Sequence, residues 1–176
     1  AAGRHELAFC GRSNVGKSTL LNALSDADVY VENRLFATLD ATTRKVFLDN
    51  DHACLVTDTV GFIRKLPHHL VASFRSTLEE VREADILLHV VDLGSPIFME
   101  QMEAVEQVLR ELNALKEARI VVFNKVDRVN DEALITNMRR QFPNSVFISA
   151  GRRIGLDKLK QAVKEEIDHA FTLDKI

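Results

Sequence analysis

The run Gly11-Arg12-Ser13-Asn14-Val15-Gly16-Lys17-Ser18 constrains this chain more than any other stretch. It fits G-x-x-x-x-G-K-[ST], a loop whose backbone N–H groups cradle phosphates. The context fits too. Glu6-Leu7-Ala8-Phe9-Cys10 reads as a buried strand before it, and Thr19-Leu20-Leu21-Asn22-Ala23-Leu24 as a helix after it. Strand, loop and helix aim N–H groups and a helix N-terminus at one place, which favours a polyphosphate. Lys17 would reach the outer phosphates and the Ser18 hydroxyl would ligate Mg²⁺, with Thr19 beside it in the first helical turn. The pattern implies nucleoside triphosphate binding.

The remaining chain fits a scaffold for such a loop. Strand-like runs alternate with helical periodicity nearly throughout: Arg44–Asp49 and Ala53–Thr57 around a turn at Asn50-Asp51-His52, then Ile86–Val91, Ile120–Phe123 and Val146–Ile148. Between them Phe74, Leu78 and Val81, then Met102, Val105, Leu109 and Leu112, recur at helical spacing. A polar helix is expected over 131–141, and a last one over about 155–171 with Leu156, Leu159, Val163 and Ile167 inward. The continuous apolar strands predict burial on both faces. The expectation is one three-layer α/β domain over residues 1–176, a P-loop NTPase of the Ras-like kind with a mostly parallel six-stranded sheet. The longest irregular stretch, 26–43, is expected to be a functional loop.

No apolar run approaches the roughly 20 residues of a membrane span. Cys10 and Cys54 lie in apolar runs and read as reduced core thiols of a cytoplasmic protein. A net charge of −3 gives no electrostatic footprint for nucleic acid. The chain opens Ala-Ala-Gly without Met, which reads as a piece excised from a longer protein, and the expected state is a monomer.

Nucleotide sites in such sheets lie beyond the carboxyl ends of the strands. Asp58-Thr59-Val60-Gly61 follows one strand: the Asp can hold Mg²⁺ through water, and the Gly N–H can approach a γ-phosphate closely. Asn124-Lys125-Val126-Asp127 follows another. The Asp127 carboxylate can accept from guanine N1–H and the 2-amino group, two donors that adenine lacks. Asn124 would brace the loop, the Lys125 stem would lie along the base, and Ser149-Ala150-Gly151 could offer N–H groups to guanine O6. The order of these segments predicts a GTP-binding protein that alternates between GTP and GDP.

A narrower resemblance rests on Asn33-Arg34-Leu35-Phe36-Ala37-Thr38-Leu39-Asp40, on Asp58–Ile63, on Leu66-Pro67-His68-His69-Leu70 and on Phe74–Glu80. Over essentially the whole chain these resemble HflX, a GTPase of the Obg–HflX group of translational GTPases. HflX proteins usually read LDPTTR where this chain has Leu39-Asp40-Ala41-Thr42-Thr43-Arg44, and their phosphate loop differs at several positions. Every ligand-type residue is nonetheless kept. The resemblance implies a slow Mg²⁺-dependent GTPase whose partner is the ribosome, chiefly the large subunit, reached through a flanking domain. It assigns Thr38, within 36–40, as the threonine that closes on Mg²⁺ and the γ-phosphate; chemistry alone leaves Thr42 and Thr43 as rivals. Lys17, Thr38 and Gly61 form the expected catalytic set, and Ser18, Thr38 and Asp58 the metal set.

Phe62 follows Gly61 where many GTPases place a water-orienting Gln, so slow intrinsic hydrolysis is expected. A partner group, a backbone group, or a K⁺ ion held with help from Asn14 could order the water instead. A nucleotide-gated binding module with little hydrolysis is an alternative, as is a GTPase of the Era or TrmE type. Arg12 reads equally as a phosphate contact or a solvated loop residue. His68 and His69 read as loop residues, and His89 as a hydrogen-bonded core histidine.

Overall fold

The computed structural model describes residues 5–11, 15–25, 42–58, 81–111, 113–115 and 118–173. Six strands, β1 (His5–Cys10), β2 (Thr42–Phe47), β3 (Ala53–Asp58), β4 (Ile86–Asp92), β5 (Arg119–Asn124) and β6 (Ser145–Phe147), form one sheet in the order β2-β3-β1-β4-β5-β6. All neighbours are parallel except the β2–β3 hairpin at the edge. The expected fold class is observed. β1 lies between β3 and β4, so the chain leaves it in opposite directions on the two sides. That is the switch point where an open α/β sheet leaves a crevice beyond its carboxyl edge.

Among the described residues four helices flank the sheet: α1 (Lys17–Ser25), α2 (Phe98–Glu111), α3 (Glu132–Gln141) and α4 (Leu156–Leu173). Side chains alternate across a strand, so one strand feeds two cores. Ile86, Leu88 and Val90 of β4 join Leu7, Phe9, Leu20, Ile120, Val122, Leu159 and Val163 on the face covered by α1 and α4. Leu87 turns to the other face with Ala8, Cys10, Val105 and Leu109. Val91 joins Phe98, Met102, Phe123 and Met138 there. The Phe123 ring lies edge-on to Phe98 and stacks on Phe147 at a centroid distance of 5.1 Å. Asp131 caps α3, its carboxylate accepting from Ala133 N at 3.0 Å and Leu134 N at 3.2 Å. Cys10 and Cys54 are buried free thiols, pushed up to about 12 by desolvation. No helix among the described residues is long and apolar enough to cross a membrane.

Both ends of β2 fall two residues from the reading of the sequence, and the ends of the other strands fall within one. β2 begins at Thr42 rather than Arg44, and Thr43 Oγ1 lies 3.0 Å from Thr57 Oγ1 across the ladder. β-branched residues opposite one another favour extending the hairpin, so Thr42 and Thr43 belong to the strand and not to the irregular loop. β2 also stops at Phe47, because the Asp49 carboxylate takes the N–H groups of Asp51 and His52, each at 2.8 Å. A short acid that captures local donors makes a turn and ends a ladder. Lys164 of α4 reaches the same carboxylate at 2.8 Å and His52 Nδ1 lies 2.8 Å from it. These partners, Lys164 foremost, hold Asp49 below the usual carboxylate range. Val81 is buried in a helical turn at 81–83, whereas Phe74, Leu78 and Leu112 lie outside the described residues.

His89 is buried against α2, but its Nδ1 finds no hydrogen-bond partner among the described residues, contrary to the expected paired core histidine. Burial, with Arg119 and Lys17 adding to it, pulls its pKa down to about 3, so the ring is neutral. An uncharged imidazole can sit among Val90, Met102 and Val105 where an imidazolium could not.

Leu159 sits in the α1–α4 core with 1% of its surface exposed. Leu159→Ala is expected to lower unfolding free energy by about 2–4 kcal/mol, through lost burial plus the cavity left. Denaturant titration of the two chains measures it.

Candidate nucleotide site

Gly11 and Gly16 shape the two ends of the phosphate loop. Gly11 has φ 145°, and a Cβ there would meet Val90 O at 2.6 Å. Gly16 has φ 96°, and a Cβ would meet the Asn124 amide nitrogen at 2.6 Å. Both positions require glycine for conformation and for space. Val15 is buried between them. Arg12, Ser13 and Asn14 lie outside the described residues.

Lys17 opens α1 with only 4% of its surface exposed, and its Nζ donates to Gly11 O at 3.1 Å. Burial lowers its pKa from 10.5 to about 8, opposed by the nearby Asp58. Ser18 is one residue on, and its Oγ donates to Asp58 Oδ2 at 2.8 Å across from the end of β3. A lysine, a hydroxyl and a carboxylate thus converge where the loop meets the sheet. The hydroxyl and carboxylate are hard oxygen donors of the kind Mg²⁺ takes, and the lysine ammonium beside them suits an anionic ligand. Thr19 lies on the next position of α1.

The other end of the site is built by β5 and β6. Asn124 is 2% exposed; its Nδ2 donates to Val15 O at 2.8 Å and its Oδ1 accepts from Ala150 N at 3.0 Å. One side chain therefore joins the phosphate loop to the loop after β6. Lys125 takes the left-handed conformation, φ 64°, and its Nζ bonds Asp92 Oδ2 at 3.2 Å. Val126 opens a single 3₁₀ turn over Val126–Arg128 that carries Asp127. The Ser149 side chain, with the charges of Arg152 and Arg128 near, holds this carboxyl below the usual range.

The backbone donors of Ser149, Ala150 and Gly151 are differently engaged. Ser149 N–H donates to Ile154 O at 3.0 Å and Ala150 N–H to Asn124, so among the described residues only that of Gly151 is uncommitted. Phe36, Ala37, Thr38, Leu39, Asp40, Thr59, Val60, Gly61 and Phe62 lie outside the described residues, as do His68 and His69.

Three residues at this edge escaped the sequence reading. Asp92 ends β4 level with Asn124 and takes both Lys125 and the Gly94 N–H, the latter at 2.9 Å. An acid closing a buried apolar strand was a visible signal for it. Arg153 donates from Nη2 to Ala23 O at 3.1 Å and ties the β6 loop to α1. Arg152 Nε lies 3.4 Å from Asp127 Oδ2. Nothing in the spacing marks either arginine.

A phosphate loop at the switch point of a doubly wound sheet, with an N-K-x-D loop two strands along, defines a P-loop GTPase domain. The chain belongs to the family of 50S ribosome-binding GTPases, whose model matches residues 6–125. It is 51% identical over 161 residues to the GTPase HflX of Caldanaerobacter subterraneus subsp. tengcongensis, which bears out the resemblance seen in the sequence. That alignment covers 92% of this chain but only 36% of the relative, so the chain spans about a third of the curated protein's length. Among solved structures, an Aquifex aeolicus Era variant bound to GDP·AlF4⁻ superposes with a TM-score of 0.78 at 25% identity, covering 93% of this chain and 57% of that one. Era in complex with MgGDPNP and a 16S ribosomal RNA segment gives 0.76 at 26% identity, covering 94% and 57%.

The buried ammonium sets a pH dependence. A phosphate contact of the kind the loop motif implies needs Lys17 charged, and the ligand-free fold releases its proton at about 8. Affinity for GDP is therefore expected to fall as pH rises through 8, roughly tenfold between pH 7 and 9. The unfolded chain keeps this proton up to 10.5, so between 8 and 10.5 it binds more protons than the fold and ligand-free stability rises with pH. Calorimetric titration and thermal melts across that range check the two opposite slopes.

Proposed function

We propose that residues 1–176 form a single GTP-binding unit that hydrolyses GTP slowly to GDP and phosphate, and that its nucleotide state switches a ribosome-associated factor. The Asn124 clamp carries the reading. By joining Val15 O to Ala150 N it fixes the distance between the Lys17 end and the Asp127 end, the two ends of one nucleoside triphosphate. Lys17 holds the outer phosphates and Asp127 accepts the guanine N1–H and 2-amino donors. Gly11, Val15 and Gly16 supply the loop with Arg12, Ser13 and Asn14, and Ser18 and Asp58 hold Mg²⁺, joined by Thr38 when GTP is bound. Bound there, Mg²⁺ would neutralise charge on the phosphate oxygens. Gly61 offers its N–H to the γ-phosphate, and Phe62, with no donor or acceptor, leaves the attacking water without a side chain from that position.

Support for the ribosome as partner comes from the family description and from the HflX relatives, whose function would reach this unit through parts of the longer protein. The large subunit is the proposed contact, and the cytoplasm the proposed compartment. Identity favours the HflX type over the Era type, 51% against 25–26%. The unit is proposed to act as a monomer, with K⁺ as a second cofactor beside Asn14.

Turnover of GTP with Mg²⁺ tests the reading. Release of phosphate is expected, abolished by Lys17→Ala and severalfold faster in K⁺ than in Na⁺ buffer. Equal rates in the two salts would remove K⁺ and leave the rest intact. Tight GTP binding with no turnover would assign catalysis to a partner. Asp127→Asn is expected to weaken GTP binding at least about 30-fold, because the carboxylate's two acceptors are lost to the guanine donors; competition between GDP and XDP reads the change in base choice.

A further inference from the structure

The loop after β6 is a closed structure in its own right. Ser149 and Ile154 exchange both backbone hydrogen bonds, at 3.0 and 2.9 Å. Between them Arg153, at φ 56°, donates its N–H to Ala150 O at 3.3 Å. Arg152 is thereby held near the apex of a four-residue hairpin loop. Its backbone N–H donates to Ser149 Oγ at 3.3 Å, and its Nε lies 3.4 Å from Asp127 Oδ2. Arg152 thus meets Asp127 directly, by charge.

A carboxylate rotates in a broad well about its last bond, and it offers about four lone-pair sites. Reading guanine needs two of these aimed at N1–H and the 2-amino group together. The Arg152 guanidinium, 3.4 Å from one oxygen, biases that rotation by charge. We propose that Arg152 is a positioning residue for base recognition, whose charge holds the Asp127 carboxylate in the orientation that meets guanine. The proposal rests on the reading of Asp127 as the guanine acceptor.

Several properties follow. Arg152 acts on the base end, so it contributes equally to GDP and GTP. Its side chain is 71% exposed, so the contribution is modest and screened by salt. It depends on the negative charge of Asp127, and so disappears when that charge is removed.

The test is a double-mutant cycle read by calorimetric titration at low salt. Arg152→Ala is expected to raise the Kd for GDP and GTP by the same factor, about two- to fivefold. Arg152→Lys should recover at least half of the loss, because it keeps the charge at the same place. In the Asp127→Asn background, titrated with XDP, Arg152→Ala should change Kd by less than about 1.5-fold. An unchanged or tighter Kd for Arg152→Ala alone overturns the proposal, and so does an equal loss in both backgrounds. Undiminished guanine preference in Asp127→Asn overturns the base assignment itself, and is read separately from the Arg152 result.

Discussion

One buried amide holds the nucleotide site together. Asn124 can donate to Val15 and accept from Ala150 because a carboxamide carries both kinds of group on one flat end. Aspartate would lose the donor and leucine both groups. The amide nitrogen also occupies the space that a side chain on Gly16 would need, so the clamp and the glycine require one another. With the amide in place, the phosphate loop is braced from the base side of the site. The buried lysine and the serine–aspartate pair at the other end then stand at a fixed remove from Asp127.

The sheet explains why these parts meet. β1 delivers the phosphate loop, β3 delivers Asp58, and β4 and β5 deliver Asp92 and Asn124 at the same level. Parallel strands all present their carboxyl ends to one edge, so segments far apart in sequence converge without any special loop path. The packing beneath is apolar apart from His89, and most of the other buried polar groups are gathered at the rim. Lys17 is the costly exception. Its ammonium is buried, which draws its pKa down to about 8 against the opposing pull of Asp58. Burying that charge costs stability, a cost that the proposed phosphate ligand would offset.

Much of this was legible in the sequence. Continuous apolar strands between amphipathic helices prescribe a parallel sheet, and the motifs stand at its strand ends, so the fold and the ordering of the site could both be read. What escaped has physical reasons. The turn acid Asp49 resembles strand residues in a hydropathy reading, since capture of local N–H groups depends on backbone geometry that no period reports. Thr42 and Thr43 look like loop residues until their partners across the hairpin are known. His89 sits in an apolar run that says "buried" but not whether a partner waits for its ring. The engagement of Ala150 with Asn124, and of Arg152 with Asp127, are meetings between loops, and a motif specifies its own residues rather than the neighbours that the fold supplies.

The Asn124 contact with Val15 spans 109 residues of chain. The β1–β4 and β4–β5 pairings are what bring those two segments side by side. The amide therefore meets the phosphate loop only where the middle of the sheet is intact, and a change that parts β4 from β5 loosens the site without touching any of its residues.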